Sequence, residues 1–118
     1  MSECRVSIQW TKSAKDGLAS LPRKVRLGIL TKADKLAESN NPRQGHKPLT
    51  GLLANYYRLT YGRYRAIYKV AEDKLYEGAT LLHITILFIA VGKRKQRDRK
   101  DIYTIAQRLV ELGLVDVD

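Results

Sequence analysis

With 118 residues and a mass of 13.4 kDa, the chain can bury one core and is too small for a nucleotide-binding domain beside a separate substrate domain. Apolar residues make up 44% and charged residues 29%, which excludes a disordered chain. Lys and Arg number 22 against 12 Asp and Glu, so the net charge is +10 and polyanions are the expected partners, nucleic acid first among them.

Residues 1–10 lack the basic segment, apolar segment and cleavage site of a secretory signal, so a cytoplasmic protein is expected. A single cysteine, Cys4, leaves no intramolecular disulfide framework and no multi-cysteine zinc site. Val6, Ile8 and Trp10 alternate with Arg5, Ser7 and Gln9, which predicts a strand. Thr11 or Ser13 can cap a short helix through Leu21, weakened by Gly17. Pro22 suits the first turn of a second helix. Val25, Ile29, Ala33, Leu36 and Ala37 form its apolar stripe, and Lys24, Arg26, Lys32 and Lys35 lie off it. That helix should stop near Ser39-Asn40-Asn41-Pro42.

Residues 43–51 read as a loop, with Gly45, Pro48 and Gly51. Residues 56–61 and 64–70 look like two strands joined by a tight turn at Gly62-Arg63. Residues 71–78 are expected to be a connection. Residues 79–91 are apolar on both faces apart from His83, as in a central strand covered on each side, and are too short to cross a bilayer as a helix. Thirteen residues in one strand would span about 43 Å, so a bend, bulge or protrusion is expected near its start. Gly92 should end the strand. Ile102, Ile105, Ala106, Leu109 and Val110 then mark a last amphipathic helix ended by Gly113. The order β-α-α-β-β-β-α implies one α+β domain over residues 1–118. Its sheet is small, twisted and mainly antiparallel, with an N-terminal helical hairpin on one face and a C-terminal helix.

The positive charge is clustered. Residues 39–71 contain no Asp or Glu, yet hold Arg43, Lys47, Arg58, Arg63, Arg65 and Lys69, His46 and five tyrosines. A second cluster holds Lys93, Arg94, Lys95, Arg97, Arg99 and Lys100 against Asp98 alone. A solvated surface normally mixes both signs, so the clusters point to an anion-binding face. Tyrosines between cations can stack on splayed bases or can simply follow strand propensity. Strand propensity suits Tyr57 and Tyr68; Tyr61 and Tyr64 stay open.

The ordered strings Lys47-Pro48-Leu49-Thr50-Gly51, Tyr57-Arg58-Leu59, Gly62-Arg63-Tyr64-Arg65-Ala66-Ile67-Tyr68, Val91-Gly92-Lys93-Arg94 and Asp101-Ile102-Tyr103 resemble the RelE/ParE toxin superfamily. Leu21-Pro22-Arg23-Lys24-Val25-Arg26 is similar to that family's helix-to-helix junction, and the resemblance covers residues 5–110. It implies a type II toxin with a RelE-like fold and a cognate, acidic antitoxin as partner. In the RelE branch it implies an endoribonuclease that cuts messenger RNA, usually in the ribosomal A site. The ParE branch instead binds and poisons DNA gyrase without a nuclease site. Neither branch implies a membrane or a cofactor.

RNA cleavage without a metal needs the 2′-OH deprotonated, the phosphate charge neutralised and the 5′-oxygen protonated, and it leaves a 2′,3′-cyclic phosphate. The basic windows offer no paired carboxylates for two metals. His83 in an apolar strand reads as a hydrogen-bonded core residue rather than half of an acid/base pair. Cations and tyrosines remain. By resemblance, Tyr103 matches a tyrosine for proton transfer or stacking. Arg65 matches a catalytic arginine, Arg58 stands for a lysine, and Lys47 matches the basic residue before the loop glycine. Thr60 stands where the family pattern has another lysine. For the last catalytic arginine, Arg94 matches by its Gly-Lys-Arg context, and Arg99 and Arg97 match by their spacing to Tyr103. The expected catalytic set is Arg65, Arg94, Arg99 and Tyr103. Lys47, Arg58, Arg63, Lys93 and Arg97 are expected to bind RNA phosphate.

Overall fold

The most apolar stretch of the chain forms the centre of the sheet. The computed structural model describes residues 3–39, 47–74, 81–96, 98 and 100–115. Its elements run β1 (Glu3–Trp10), α1 (Lys12–Ala19), α2 (Arg23–Glu38), a 3-10 turn (Gly51–Leu53), β2 (Tyr57–Tyr61), β3 (Tyr64–Lys74), β4 (Leu81–Lys93) and α3 (Ile102–Glu111). The four strands are ordered β1-β4-β3-β2. β1 runs parallel to β4, and the other two pairings are antiparallel.

Both faces of β4 are covered, which is why its sequence does not alternate. On one face Ile86, Phe88 and Val91 pack with Ile29, Ala33 and Leu36 of α2 and Ala14 of α1. On the other, Leu87, Ile89 and Ala90 pack with Leu53, Tyr56, Ile67 and with Ile102 and Ala106 of α3. Ile89 and Ala90 are adjacent yet share a face. The register explains this: Ile67 pairs with Ala90 and Tyr68 with Phe88, so Ile89 is the extra residue of a bulge. The carbonyl of Ile89 accepts the hydroxyl of buried Thr11, which also caps α1 by accepting from the Ala14 amide.

One aromatic side chain per strand lines up across the sheet under the helical hairpin. The Trp10 and Phe88 rings stack at 4.2 Å, Phe88 and Tyr68 lie at 5.3 Å, and Tyr68 and Tyr57 at 5.6 Å. Tyr61 and Tyr64 pack against the same cluster. The four strand tyrosines of the β2–β3 hairpin therefore serve the core on the α1–α2 face.

Several expected boundaries move. The bulge lies at Ile89, well inside β4, and not near its start. β4 stays paired along its whole length and passes through Gly92 to Lys93. β3 runs on to Lys74, so residues 71–74 of the expected 71–78 connection are strand; residues 75–80 lie outside the described residues. α1 stops at Ala19 rather than Leu21, where Ser20 caps it. β2 begins at Tyr57, because the Tyr56 amide closes the preceding turn on the Leu53 carbonyl. The 3-10 turn was not anticipated; Gly51 enters it at φ 65°. Gly17, read as a weakness, is needed where it stands. A Cβ there would collide with the Val91 carbonyl, so only glycine lets α1 lie this close to β4.

Candidate nucleic-acid interface and active site

Strand alternation sorts the β2–β3 hairpin into two faces. The tyrosines point to the α1–α2 side, and Arg58, Thr60 and Arg65 to the side of α3. Arg58 pairs with Ile67 and Thr60 with Arg65, so the two arginines are diagonal neighbours, about 7–8 Å apart at their Cα atoms. Gly62 at φ 57° makes the tight turn joining the strands.

α3 brings the tyrosine to this face. The Asp101 side chain accepts from the Tyr103 amide at 3.1 Å and caps the helix. Its other carboxylate oxygen accepts from the Lys95 amide, so one buried carboxylate ties the basic segment after β4 to the start of α3. Tyr103 is half-buried against the α3-side core, and its hydroxyl accepts from Arg58 Nη1 at 3.2 Å. Residues 45 positions apart in sequence thus meet on one exposed face.

A groove of about 650 Å³ opens beside Arg58. Lys32, Lys47 and Arg58 supply its charge, Pro48, Leu49 and Leu59 its apolar wall, and Thr50 and Thr60 its hydroxyls. The Leu49 amide bonds to the Tyr56 carbonyl at 2.8 Å, which fixes the loop carrying Lys47 against β2.

Arg65 plays a different part from Arg58. It is buried, and its Nη1 donates to the carbonyls of Gly62 at 2.8 Å and Tyr64 at 2.9 Å, pinning the hairpin turn from beneath. Its Nε has no hydrogen-bond partner among the described residues. Arg63, Arg65, Arg94, Gln96 and Gly62 line a second hollow of about 340 Å³. The Arg94 amide donates to the Arg63 carbonyl at 2.7 Å, so the turn and the basic segment move as one piece. The expected residues therefore gather as two groups: Lys47 and Arg58 at the groove, with Tyr103 against Arg58, and Arg63, Arg65 and Arg94 at the turn. Lys93 pairs with Tyr64, on the α1–α2 side, and does not join either group. Arg97 and Arg99 lie outside the described residues, as do Arg43 and His46.

His83 is half-buried, and its Nε2 lies 2.7 Å from Ser7 Oγ on the neighbouring strand, a satisfied polar pair as the sequence suggested. No three His, Cys, Asp or Glu side chains come together to hold a metal among the described residues, and none of their helices is long and apolar enough to cross a membrane. The groove can bind a phosphodiester through its cations and present a hydroxyl to it. Reading the sequence missed two participants. Asp101 carried a signal, an acidic residue just before an apolar helical repeat. Lys32 carried none, since a lysine off a helix stripe reads as solvated.

A family model described as the ParE toxin of type II toxin-antitoxin system, parDE, matches residues 8–98. No curated protein matches the sequence. Three solved structures are similar in fold. The toxin–antitoxin complex RelBE2 of Mycobacterium tuberculosis gives a TM-score of 0.56 at 24% identity, over 75% of this chain and 96% of the other. A free mutant of the Escherichia coli toxin RelE gives 0.56 at 18%, over 89% and 95%. The RelB–RelE complex of Methanococcus jannaschii gives 0.50 at 21%, over 72% and 88%.

Proposed function

The chain belongs to the ParE toxin family, within the RelE/ParE superfamily of type II toxin–antitoxin toxins; from that premise we propose that it is a metal-independent endoribonuclease acting on messenger RNA at the ribosomal A site. The contact between Arg58 and Tyr103 at the mouth of a basic groove carries this reading. A guanidinium beside a phenol is a pairing for phosphoryl chemistry. Arg58 faces the developing negative charge on the phosphate, where a well-placed donor contributes about 3–4 kcal/mol. Tyr103 takes the 2′-OH proton or orients the attacked nucleotide. Lys47 holds the substrate strand. The turn group of Arg63, Arg65 and Arg94 supplies the remaining positive field.

A cognate antitoxin is the protein partner, as the similar RelB–RelE complexes suggest, and the net charge of +10 favours an acidic one. The description of the matching family model favours a second reading, a gyrase poison without nuclease activity.

The two readings part in a translation reaction supplied with one defined message and the purified chain. Nuclease action gives upstream fragments ending in 2′,3′-cyclic phosphate. Intact message after addition of the chain contradicts it, and gyrase-dependent linear DNA accumulating in a parallel gyrase assay supports the second reading.

A further inference from the structure

Lys32 lies on α2, N-terminal to every expected site residue. Its ammonium nevertheless reaches around the edge of the sheet and donates to the Thr60 carbonyl at 2.7 Å. β2 is the edge strand, and the Thr60 carbonyl faces outward from it. The bond holds the Lys32 charge at the groove that Lys47 and Arg58 also line. One carbonyl satisfies one of the three donors of an ammonium. The other two have no hydrogen-bond partner among the described residues. Among the described residues no acidic side chain lines it, so none of them offers the three cations a counter-charge there.

We propose that Lys32 is an RNA-binding residue that grips a backbone phosphate of single-stranded RNA flanking the scissile position. It supplies from α2 the cation that β2 does not carry at Thr60. The inference deepens the endoribonuclease reading and rests on it. The charge pattern suits a polyanionic strand running along the edge of β2 from Lys32 and Lys47 to Arg58. The apolar wall of Pro48, Leu49 and Leu59 receives a base beside that strand. Thr60 lines the same groove, so a lysine at position 60 places an ammonium in the same space.

The test is binding of a short single-stranded RNA with 2′-O-methyl groups, which cannot be cut, titrated at several salt concentrations. The proteins are wild type, Lys32→Gln, Thr60→Lys and the double variant. Glutamine removes the charge and keeps a polar donor at position 32. Lys32→Gln is expected to flatten the slope of log K against log salt by about 0.7, the contribution of one phosphate contact to single-stranded RNA. Adding Thr60→Lys restores the slope. A wild-type slope in Lys32→Gln, or a lost slope that Thr60→Lys does not restore, overturns the proposal. Because the probe is uncleavable, the outcome is independent of chemistry. A chain that binds through Lys32 but leaves messages intact loses the nuclease reading and keeps this site.

Discussion

In the proposed endoribonuclease, Tyr103 is the residue on which the chemistry turns. Its hydroxyl accepts from Arg58, and its backbone is held by Asp101. Tyr103→Phe keeps the ring, its packing and the cap, and removes only the oxygen. General acid–base groups contribute about 10²–10⁴-fold, so the single-turnover cleavage rate is expected to fall by about 10²-fold or more with RNA affinity nearly unchanged. A variant that cuts at the wild-type rate would reduce Tyr103 to a packing residue. The pair was legible only in part. Both residues stand out in the sequence by resemblance, yet nothing in their spacing says that they touch, because their meeting depends on how α3 crosses the sheet. Lys32 was hidden for a sharper reason: a charge at a non-core helical position is ordinary, and only the edge position of β2 makes it reach the groove. Arg65 was legible as a residue of the site's face, while its use as a clamp on the turn carbonyls was not.

At the scale of elements, the segment 94–101 decides whether the site is assembled. Asp98 accepts from the Lys100 amide at 2.8 Å, the Asp98 amide bonds the Lys95 carbonyl, and the Asp101 amide bonds the Asp98 carbonyl. Asp101 closes this loop onto α3. Asp101→Ala loses an N-cap, about 1 kcal/mol, and leaves the Lys95 amide without its partner, about 1–3 kcal/mol more if water does not replace it. Several degrees of melting temperature should go with it, together with most of the cleavage activity. Asp101→Asn, which keeps one acceptor oxygen of two, should fall between. Equal melting curves for all three proteins would mean that the loop is held by something other than this carboxylate. Element type and order followed from periodicity and turn residues throughout: the alternation of Val6, Ile8 and Trp10, the stripe of α2, and the glycine of the hairpin turn. Boundaries did not. The β3 extension to Lys74 carries charged residues that read as loop, and the Ile89 bulge leaves no trace in a run that is apolar on both faces. Gly17 shows the opposite case, where a poor helix former is required by the tertiary contact it permits.

For the whole molecule, the row of aromatics ties stability to the protonation of one side chain. Tyr68 is fully buried. Burial, first, and the neighbouring Tyr57, second, push its ionisation far above the ordinary tyrosine value. In the unfolded chain Tyr68 loses its proton near pH 10, while the folded chain retains it. Above that pH the unfolded state binds fewer protons, so stability falls as pH rises, by about 1.4 kcal/mol per unit for this group. The contribution is complete below pH 10. Denaturant midpoints of wild type and Tyr68→Phe should therefore run parallel below pH 10 and converge above it. Parallel curves to pH 11.5 would show that Tyr68 ionises with little loss of packing.

The α+β frame sets all of this in place. The helical hairpin packs on one face of the sheet, and α3 covers the other while leaving Arg58 exposed beside its own Tyr103. The most direct test of endoribonuclease action is a map of messenger RNA 5′ ends after induction of the chain in cells, for wild type and for the Arg58→Ala, Tyr103→Phe double variant. New ends inside reading frames, phased to codons and absent from the double variant, are the predicted result. Growth arrest without new ends, equally strong in the double variant, would contradict it and make the basic face a binding surface alone.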